Sequence, residues 1–245
     1  MNQDYENTAQ AITRANKVIA LTGAGVSVDS GIPDFRSAGG LWEKYPPEEF
    51  ATIEAFMSDP EKTWKLWFDL YHMLEDIAPN TGHLALAELE KMGHLDAVIT
   101  QNIDNLHQEA GNTKVIEYHG NTKRVVCLKC HTHRRFDAAE EPDIGPRCEC
   151  GLTMKPDVVL FGEPIPHQAL LESERLASTC DVVIVVGTSA TVYPAAGIPF
   201  TAKQHGAFII ECNTQPTEFT NTVTDVFLQG SSKDTLPTLV NWVRR

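Results

Sequence analysis

Val98-Ile99-Thr100-Gln101-Asn102-Ile103-Asp104 decides how this chain is read. Ala97 to Ile99 is an apolar run short enough for a buried strand, and it ends in two amides and a carboxylate. In an open α/β sheet the ligand groups sit beyond the carboxyl ends of the strands, which is where Gln101, Asn102 and Asp104 stand. A second short run, Val115 to Tyr118, puts His119 at the equivalent edge with Gly120 behind it, so His119 is the candidate general base. A single His after a strand is more often a surface or satisfied core residue. The polar cluster beside it is poor for core packing, because each buried polar group needs a partner, and it argues for a site.

Outward from that stretch, strand-like runs recur at Val18 to Leu21, Ala97 to Thr100, Val115 to Tyr118, Asp181 to Val186, Ala207 to Glu211 and Val223 to Leu228. Helical patterns at Gln3 to Asn16, Glu61 to Ile77, Gly82 to Lys91, Ile103 to Ala110 and Gln168 to Ala177 lie between several of them. This alternation predicts an α/β fold, a doubly wound, mostly parallel Rossmann-like sheet with right-handed crossovers. Two segments break it. Residues 34–80 are rich in aromatics and hold Pro46-Pro47, and residues 121–156 hold a cysteine cluster. Both read as insertions forming a smaller zinc-binding and helical lobe, with 1–33, 81–120 and 157–245 as the sheet domain and a cleft between the two.

A chain of 245 residues with 42% hydrophobic content can bury a sizeable core. No apolar run approaches a membrane span, and Met1 to Asn7 lacks the layout of a signal peptide, so a cytoplasmic protein is expected. The formal charge of −13 argues against nucleic-acid binding, which needs a basic stripe. It suits cationic partners such as lysine-bearing peptides, and equally it serves solubility. Nothing resembles an oligomerisation heptad, and a monomer is expected.

After the strand ending at Leu21 comes Thr22-Gly23-Ala24-Gly25-Val26-Ser27-Val28-Asp29-Ser30-Gly31. Gly23 permits a tight turn, Gly25 permits close approach of backbone amides to a pyrophosphate, and a helix start near Val26 is expected to add its positive end. The loop departs from the dehydrogenase fingerprint: Val28 stands where the third glycine belongs, and no second strand ends in an acidic residue about twenty residues on. Instead Pro33-Asp34-Phe35-Arg36 follows, with Phe35 suited to wall off a nicotinamide face and Arg36 to pair with phosphate or ribose. That arrangement reads as NAD used as a reactant rather than as a hydride carrier.

Cys127-x-x-Cys130 and Cys148-x-Cys150, 17 residues apart, have the spacing of a structural zinc site with one gap shortened. His131 and His133 leave open a set of three thiolates and one imidazole; Gly145, Pro146 and Gly151 supply turns that favour four thiolates. Such a closed tetrahedron has no open position for catalysis. Cys180 and Cys212 read as small core residues.

Gly23-Ala24-Gly25-Val26-Ser27, Gly31 to Arg36, Thr100 to Asp104, His119-Gly120, the cysteine pairs, Gly187-Thr188-Ser189 and Asn213, in this order from about residue 17 to 232, resemble the sirtuins. The resemblance implies an NAD-dependent protein lysine deacylase that yields nicotinamide and O-acyl-ADP-ribose. It implies His119 as the base at a ribose hydroxyl, with Asn102 and Asp104 beside it, and Gln101, Asn102, Ile103 and Asp104 around ribose and nicotinamide. Gly23, Ala24, Gly25, Ser27, Asp34, Phe35, Arg36 and Trp42 would shape the cofactor loop; Gly187, Thr188 and Ser189 would meet phosphate or ribose, and Asn213, Thr214, Gln215 and Ser232 the adenosine end. Val159, Phe161-Gly162-Glu163 and Val192-Tyr193 resemble the strands that grip an acyl-lysine peptide by main-chain pairing.

Ser37 to Trp42 and the tail Thr217 to Thr235 resemble the class III branch, some members of which remove succinyl or malonyl groups. Those enzymes hold the acyl carboxylate with a Tyr-x-x-Arg pair. Here Trp67 and Leu70 align at those positions, and no Arg or Lys occurs from Leu66 to Glu90. A buried carboxylate without a cation costs several kcal/mol, so acetyl or a longer neutral acyl group is the expected substrate. Ordinary helix packing accounts for Trp64, Trp67 and Leu70 equally well. Other readings of the same cofactor site are ADP-ribosyl transfer, NAD hydrolysis and a non-catalytic NAD or ADP-ribose sensor.

Overall fold

The computed structural model describes residues 2–32, 41–141 and 144–245; Pro33, Asp34, Phe35 and Arg36 therefore lie outside the described residues. Nine strands occur among them: β1 (Val18–Thr22), β2 (Ala97–Thr100), β3 (Val115–Glu117), β4 (Gly120–Val126), β5 (His133–Arg135), β6 (Lys155–Val158), β7 (Val182–Val186), β8 (Phe208–Asn213) and β9 (Val226–Gln229). Six form one sheet in the order β3-β2-β1-β7-β8-β9, and each neighbouring pair is parallel. The strand order reverses at β1 and β7, the switch point where open α/β sheets bind ligands.

Both faces of the sheet are covered, as its uninterrupted apolar strands require. Val18 and Ala20 point into a core shared with residues of the helices Asn2–Arg14, Thr81–Lys91 and Ser232–Val243. Ile19 and Leu21 point into an opposite core shared with the helices His167–Ala177 and Ile198–Gln204. The helices Ile198–Gln204 and Ser232–Val243 were not expected. Pro199 and Pro237 interrupt their patterns, yet Pro199 sits in the first turn, where its missing N–H costs nothing. β9 starts three residues later than the apolar run because the helix Glu218–Thr222 ends there, and buried Glu211 collects the hydroxyls of Thr217, Thr220 and Thr224 at 2.6, 2.6 and 2.8 Å.

A third core joins the two insertions. The helix Pro60–Glu75, capped by the Asp59 carboxylate on the Lys62 N–H, turns Trp64 inward, where its indole donates to the Met154 carbonyl at 3.0 Å and its ring meets Phe136 at 5.1 Å. β4 lies between β5 and β6 in a small antiparallel sheet. Gly120, at φ +83°, makes the passage from the large sheet to the small one; a Cβ there would stand 2.1 Å from the Asp157 carbonyl oxygen, so only glycine fits.

Candidate functional site

Every strand of the large sheet delivers residues from its carboxyl end to one cleft of ≈ 1230 Å³. Gly23 to Gly25 follow β1, Gln101 to Ile103 follow β2, His119 follows β3, Gly187 to Ser189 follow β7, Asn213 to Gln215 end and follow β8, and Gly230 to Ser232 follow β9. The opposite wall carries Trp42, Ala51, Trp67 and the segment Val158 to Ile165, and Val192 and Tyr193 also line the cleft. This volume exceeds the roughly 300–1,000 Å³ usual for one small ligand, leaving room for a dinucleotide and part of a second substrate.

The glycine loop crosses directly onto β7. Gly23 N–H donates to Val186 at 3.0 Å and Gly25 N–H to Gly187 at 2.8 Å. A Cβ on Gly25 would lie 2.7 Å from the Gly187 Cα, so backbone packs on backbone and the floor of the cleft is made of peptide groups. The expected α-helix from Val26 does not form. Two single 3-10 turns, Ala24–Val26 and Val28–Ser30, take its place, so the positive end of a long helix is not what meets a pyrophosphate here. Ser232, buried and lining the cleft, has a hydroxyl with no partner among the described residues, which fits a nucleotide contact at this end.

His119 Nδ1 lies 3.0 Å from the Gln101 carbonyl oxygen. A carbonyl only accepts, so Nδ1 carries the hydrogen and Nε2 of the neutral ring keeps its lone pair. Burial pushes the His119 pKa below its usual value, partly offset by the Gln101 hydrogen bond. The ring is thus held as a neutral base at neutral pH. Its own carbonyl accepts from the Val159 N–H at 2.8 Å, which ties the base to the opposite wall.

Ser27 and Asp104, read from sequence as cofactor contacts, do not line the cleft; they lie beneath it. Asn102 donates from Nδ2 to Gly23 O at 3.2 Å and to Ser27 Oγ at 3.0 Å, while Ser27 Oγ donates to Asp104 Oδ2 at 2.7 Å. Asp104 Oδ1 accepts from the Leu106 N–H at 3.0 Å. Burial still pushes the Asp104 carboxyl above its ordinary range. Both Asn102 amide hydrogens are spent on this network, so its Oδ1 is the group left to accept from a ligand. Below it sit His83 and His107, rings 4.9 Å apart, their pKa values pushed down to about 4 and about 3 by burial first of all. Their histidine pattern carried no signal in the sequence.

On the opposite wall, Val159, Phe161, Gly162, Glu163, Val192 and Tyr193 line the cleft outside regular strands, and Phe161 already bridges Thr52, its N–H donating to the Ala51 carbonyl at 2.9 Å and its own carbonyl accepting from the Ile53 N–H at 3.0 Å. Glu163 does not offer its carboxylate. Oε2 accepts from buried Lys155 Nζ at 2.8 Å and from the Leu160 N–H at 2.9 Å, and so holds the loop closed. Residues missed from sequence include Val28, Asp29, Ala51, Leu170 and Gly230-Ser231. The last pair follows an apolar run and was findable by the strand-end rule.

Cys127, Cys130, Cys148 and Cys150 place their sulfurs within 4.8 Å of one another. Two tight turns present them, closed by His131 N–H on Cys127 O and Gly151 N–H on Cys148 O, each at 2.9 Å. Neither His131 nor His133 joins the group. Four thiols converging from two knuckles are the donor set of a closed structural zinc site, and these four residues would hold the ion.

Comparison with known proteins agrees with this geometry. The Sir2 family profile matches residues 23–194. The chain belongs to the Sir2 family, the sirtuins. It is 46% identical over 248 residues to an NAD-dependent protein deacylase of Thermococcus sibiricus, covering 98% of this chain and 96% of that one. It is likewise 46% identical over 245 residues to one of Pyrococcus furiosus, covering 97% of each. Among solved structures, a Sir2 homologue–NAD complex superposes with TM-score 0.92 at 42% identity, covering 98% of this sirtuin and 93% of that chain. Sir2Af2 bound to a myristoylated histone peptide gives 0.81 at 37%, covering 100% and 98%.

Proposed function

We propose that this sirtuin is an NAD-dependent protein lysine deacylase for acetyl and other neutral acyl groups. Acyl-lysine, NAD and water give free lysine, nicotinamide and O-acyl-ADP-ribose. The observation that carries the reading is the neutral His119 ring, fixed through Nδ1 with Nε2 left as acceptor, in the same cleft as the glycine floor. A binding protein has no use for a base held this way.

In this reading NAD lies along the strand ends, with Gly23, Ala24, Gly25 and Ser189 at its phosphates and Asn213 to Gln215 with Ser232 at the adenosine end. Ile103 and Trp42 border the nicotinamide side, and Asp34, Phe35 and Arg36 are assigned there from the sequence alone. His119 Nε2 takes the proton of a ribose hydroxyl. Asn102 Oδ1 orients the ribose, Gln101 is fixed by its amide on Thr188 Oγ1 at 3.1 Å, and Asp104 acts through Ser27 rather than by touching the substrate. The peptide would lie between Val159 to Glu163 and Val192-Tyr193 as an added strand. Zinc, when bound, supplies cross-linking of the small lobe and no chemistry.

We assign residues 1–33, 81–120 and 157–245 to the NAD-binding domain and 34–80 with 121–156 to the small lobe. We propose that the protein acts as a monomer in the cytoplasm; the net charge of −13 disfavours a phosphate-backbone partner, and no helix among the described residues is long and apolar enough to cross a membrane. Mass analysis of the products tests the activity: O-acyl-ADP-ribose is expected, while a modified acceptor protein or free ADP-ribose alone would replace deacylation by transfer or hydrolysis.

A further inference from the structure

Lys155, on β6, is 4% exposed and is the only buried Lys or Arg among the described residues. It does not line the cleft. Its Nζ donates to Glu163 Oε2 at 2.8 Å and to the Val158 carbonyl at 2.5 Å. The same Oε2 accepts from the Leu160 N–H, and the Glu163 N–H donates back to the Leu160 carbonyl at 3.0 Å, closing a turn with Gly162 at φ +89°. One ion pair therefore grips both ends of residues 158–163, all of which line the cleft. Between those ends Val159 is bonded to the His119 carbonyl and Phe161 to Ala51 and Ile53. The Val159 carbonyl and both main-chain groups of Gly162 have no partner among the described residues. A buried ammonium is costly to desolvate, and replacing a buried ion pair by apolar side chains is often neutral or stabilising, so stability alone does not call for a lysine here.

We propose that Lys155 is a positioning residue for the acyl-lysine peptide: paired with Glu163, it holds residues 158–163 as a pre-formed edge beside His119. The proposal rests on the deacylase reading and gives a role to a buried charge that the chemistry at His119 leaves unused. A peptide pairing with this segment meets a turn already closed, so the wall is ordered on folding rather than on binding. Without the ammonium, Glu163 keeps a partly buried carboxylate with the Leu160 N–H as its donor, and opening the turn hydrates that charge. Ordering one or two residues again at each binding event costs about ten- to hundredfold in affinity. The glycine floor and the ends of β7, β8 and β9 make no hydrogen bond to the Lys155 or Glu163 side chains, so the loss falls on the peptide and not on NAD.

The test measures, on the full chain, the Kd of a fluorescent acetyl-lysine peptide by anisotropy, the Kd of NAD by calorimetry, and kcat with both substrates saturating. K155M should weaken the peptide by about ten- to hundredfold and leave NAD affinity and kcat within about threefold. K155R, which keeps a cation at this place, should recover most of the loss. E163Q keeps an oxygen for the Leu160 N–H, so it should weaken the peptide less than K155M does, again without effect on NAD, and it carries the test if K155M does not fold. The double variant K155M/E163Q should lose no more than K155M alone, because both residues act through one contact. Unchanged peptide affinity in K155M or E163Q, equal losses for peptide and NAD, or additive losses in the double variant would overturn the proposal. An unmodified enzyme that neither binds nor turns over the acetyl peptide would instead strike the deacylase reading itself.

Discussion

His119 donates from Nδ1 to the carbonyl oxygen of Gln101, 3.0 Å away, so the strand end that carries the Gln101 and Asn102 amides also sets the tautomer of the proposed base. Replacing His119 by Ala or Tyr leaves that backbone and the glycine floor in place. We expect NAD binding to persist within a few-fold by calorimetry and deacylation to fall by about 10²–10⁴, the usual worth of a positioned general base. A variant with near-normal turnover and intact fold would remove His119 from the chemistry.

The same ring gives a pH prediction. Its pKa lies below the ordinary histidine value of 6.5 because burial disfavours the charged form, and the proposed base acts when unprotonated. The acid limb of kcat/KM should therefore fall below pH 6.5, with full activity through neutrality. An acid limb above pH 6.5 would mean that the imidazolium is stabilised, contrary to the buried setting.

His83 and His107 make a separate prediction for stability. Their folded pKa values, about 4 and about 3, lie below the unfolded value of 6.5, so the unfolded chain binds more protons as pH falls. Stability is fully present above pH 6.5 and is lost as pH drops toward 4, by on the order of several kcal/mol. Asp104, pushed up by burial, opposes part of this loss. Denaturant midpoints measured from pH 7 to 4 should shallow in His107→Gln; an unchanged pH slope in that variant would show that the buried pair is not the cause.

Much of this site was legible before any coordinates. The six parallel strands were readable because buried strands are continuous apolar runs bounded by turn residues, and the strand-end rule then placed Gln101, Asn102 and His119 together. What it could not show has a common physical origin. Ser27 and Asp104 carry ligand-like chemistry but spend it on each other beneath the floor, and Glu163 spends its carboxylate on Lys155 and the Leu160 N–H. A sequence shows which groups are polar and not which are already satisfied. The helix Ser232–Val243 was hidden by Pro237, and the 3-10 turns after Gly23 replaced an expected helix because the loop bonds sideways to Gly187.

Ser27 is the hub of the buried network, accepting from Asn102 and donating to Asp104. Ser27→Ala should cost about 1–3 kcal/mol of stability by leaving Asp104 short of a donor, and it should lower kcat more than it raises the KM for the peptide. Unchanged kcat with an intact fold would show that Asn102 holds its place without it.

Chelation bears on the four cysteines. Removing zinc should release the small lobe, seen as lost protection of residues 121–156 in hydrogen exchange, and activity should fall with it. Activity that survives verified metal removal would show that the lobe stands on its third core alone.

The most direct measurement is nicotinamide release by the zinc-replete enzyme with NAD, with and without acyl-lysine peptides. The account predicts release that depends on the acylated peptide, is small with the unmodified peptide, and is matched in amount by O-acyl-ADP-ribose. Release indifferent to acyl-lysine, or none with any acylated peptide, would contradict it.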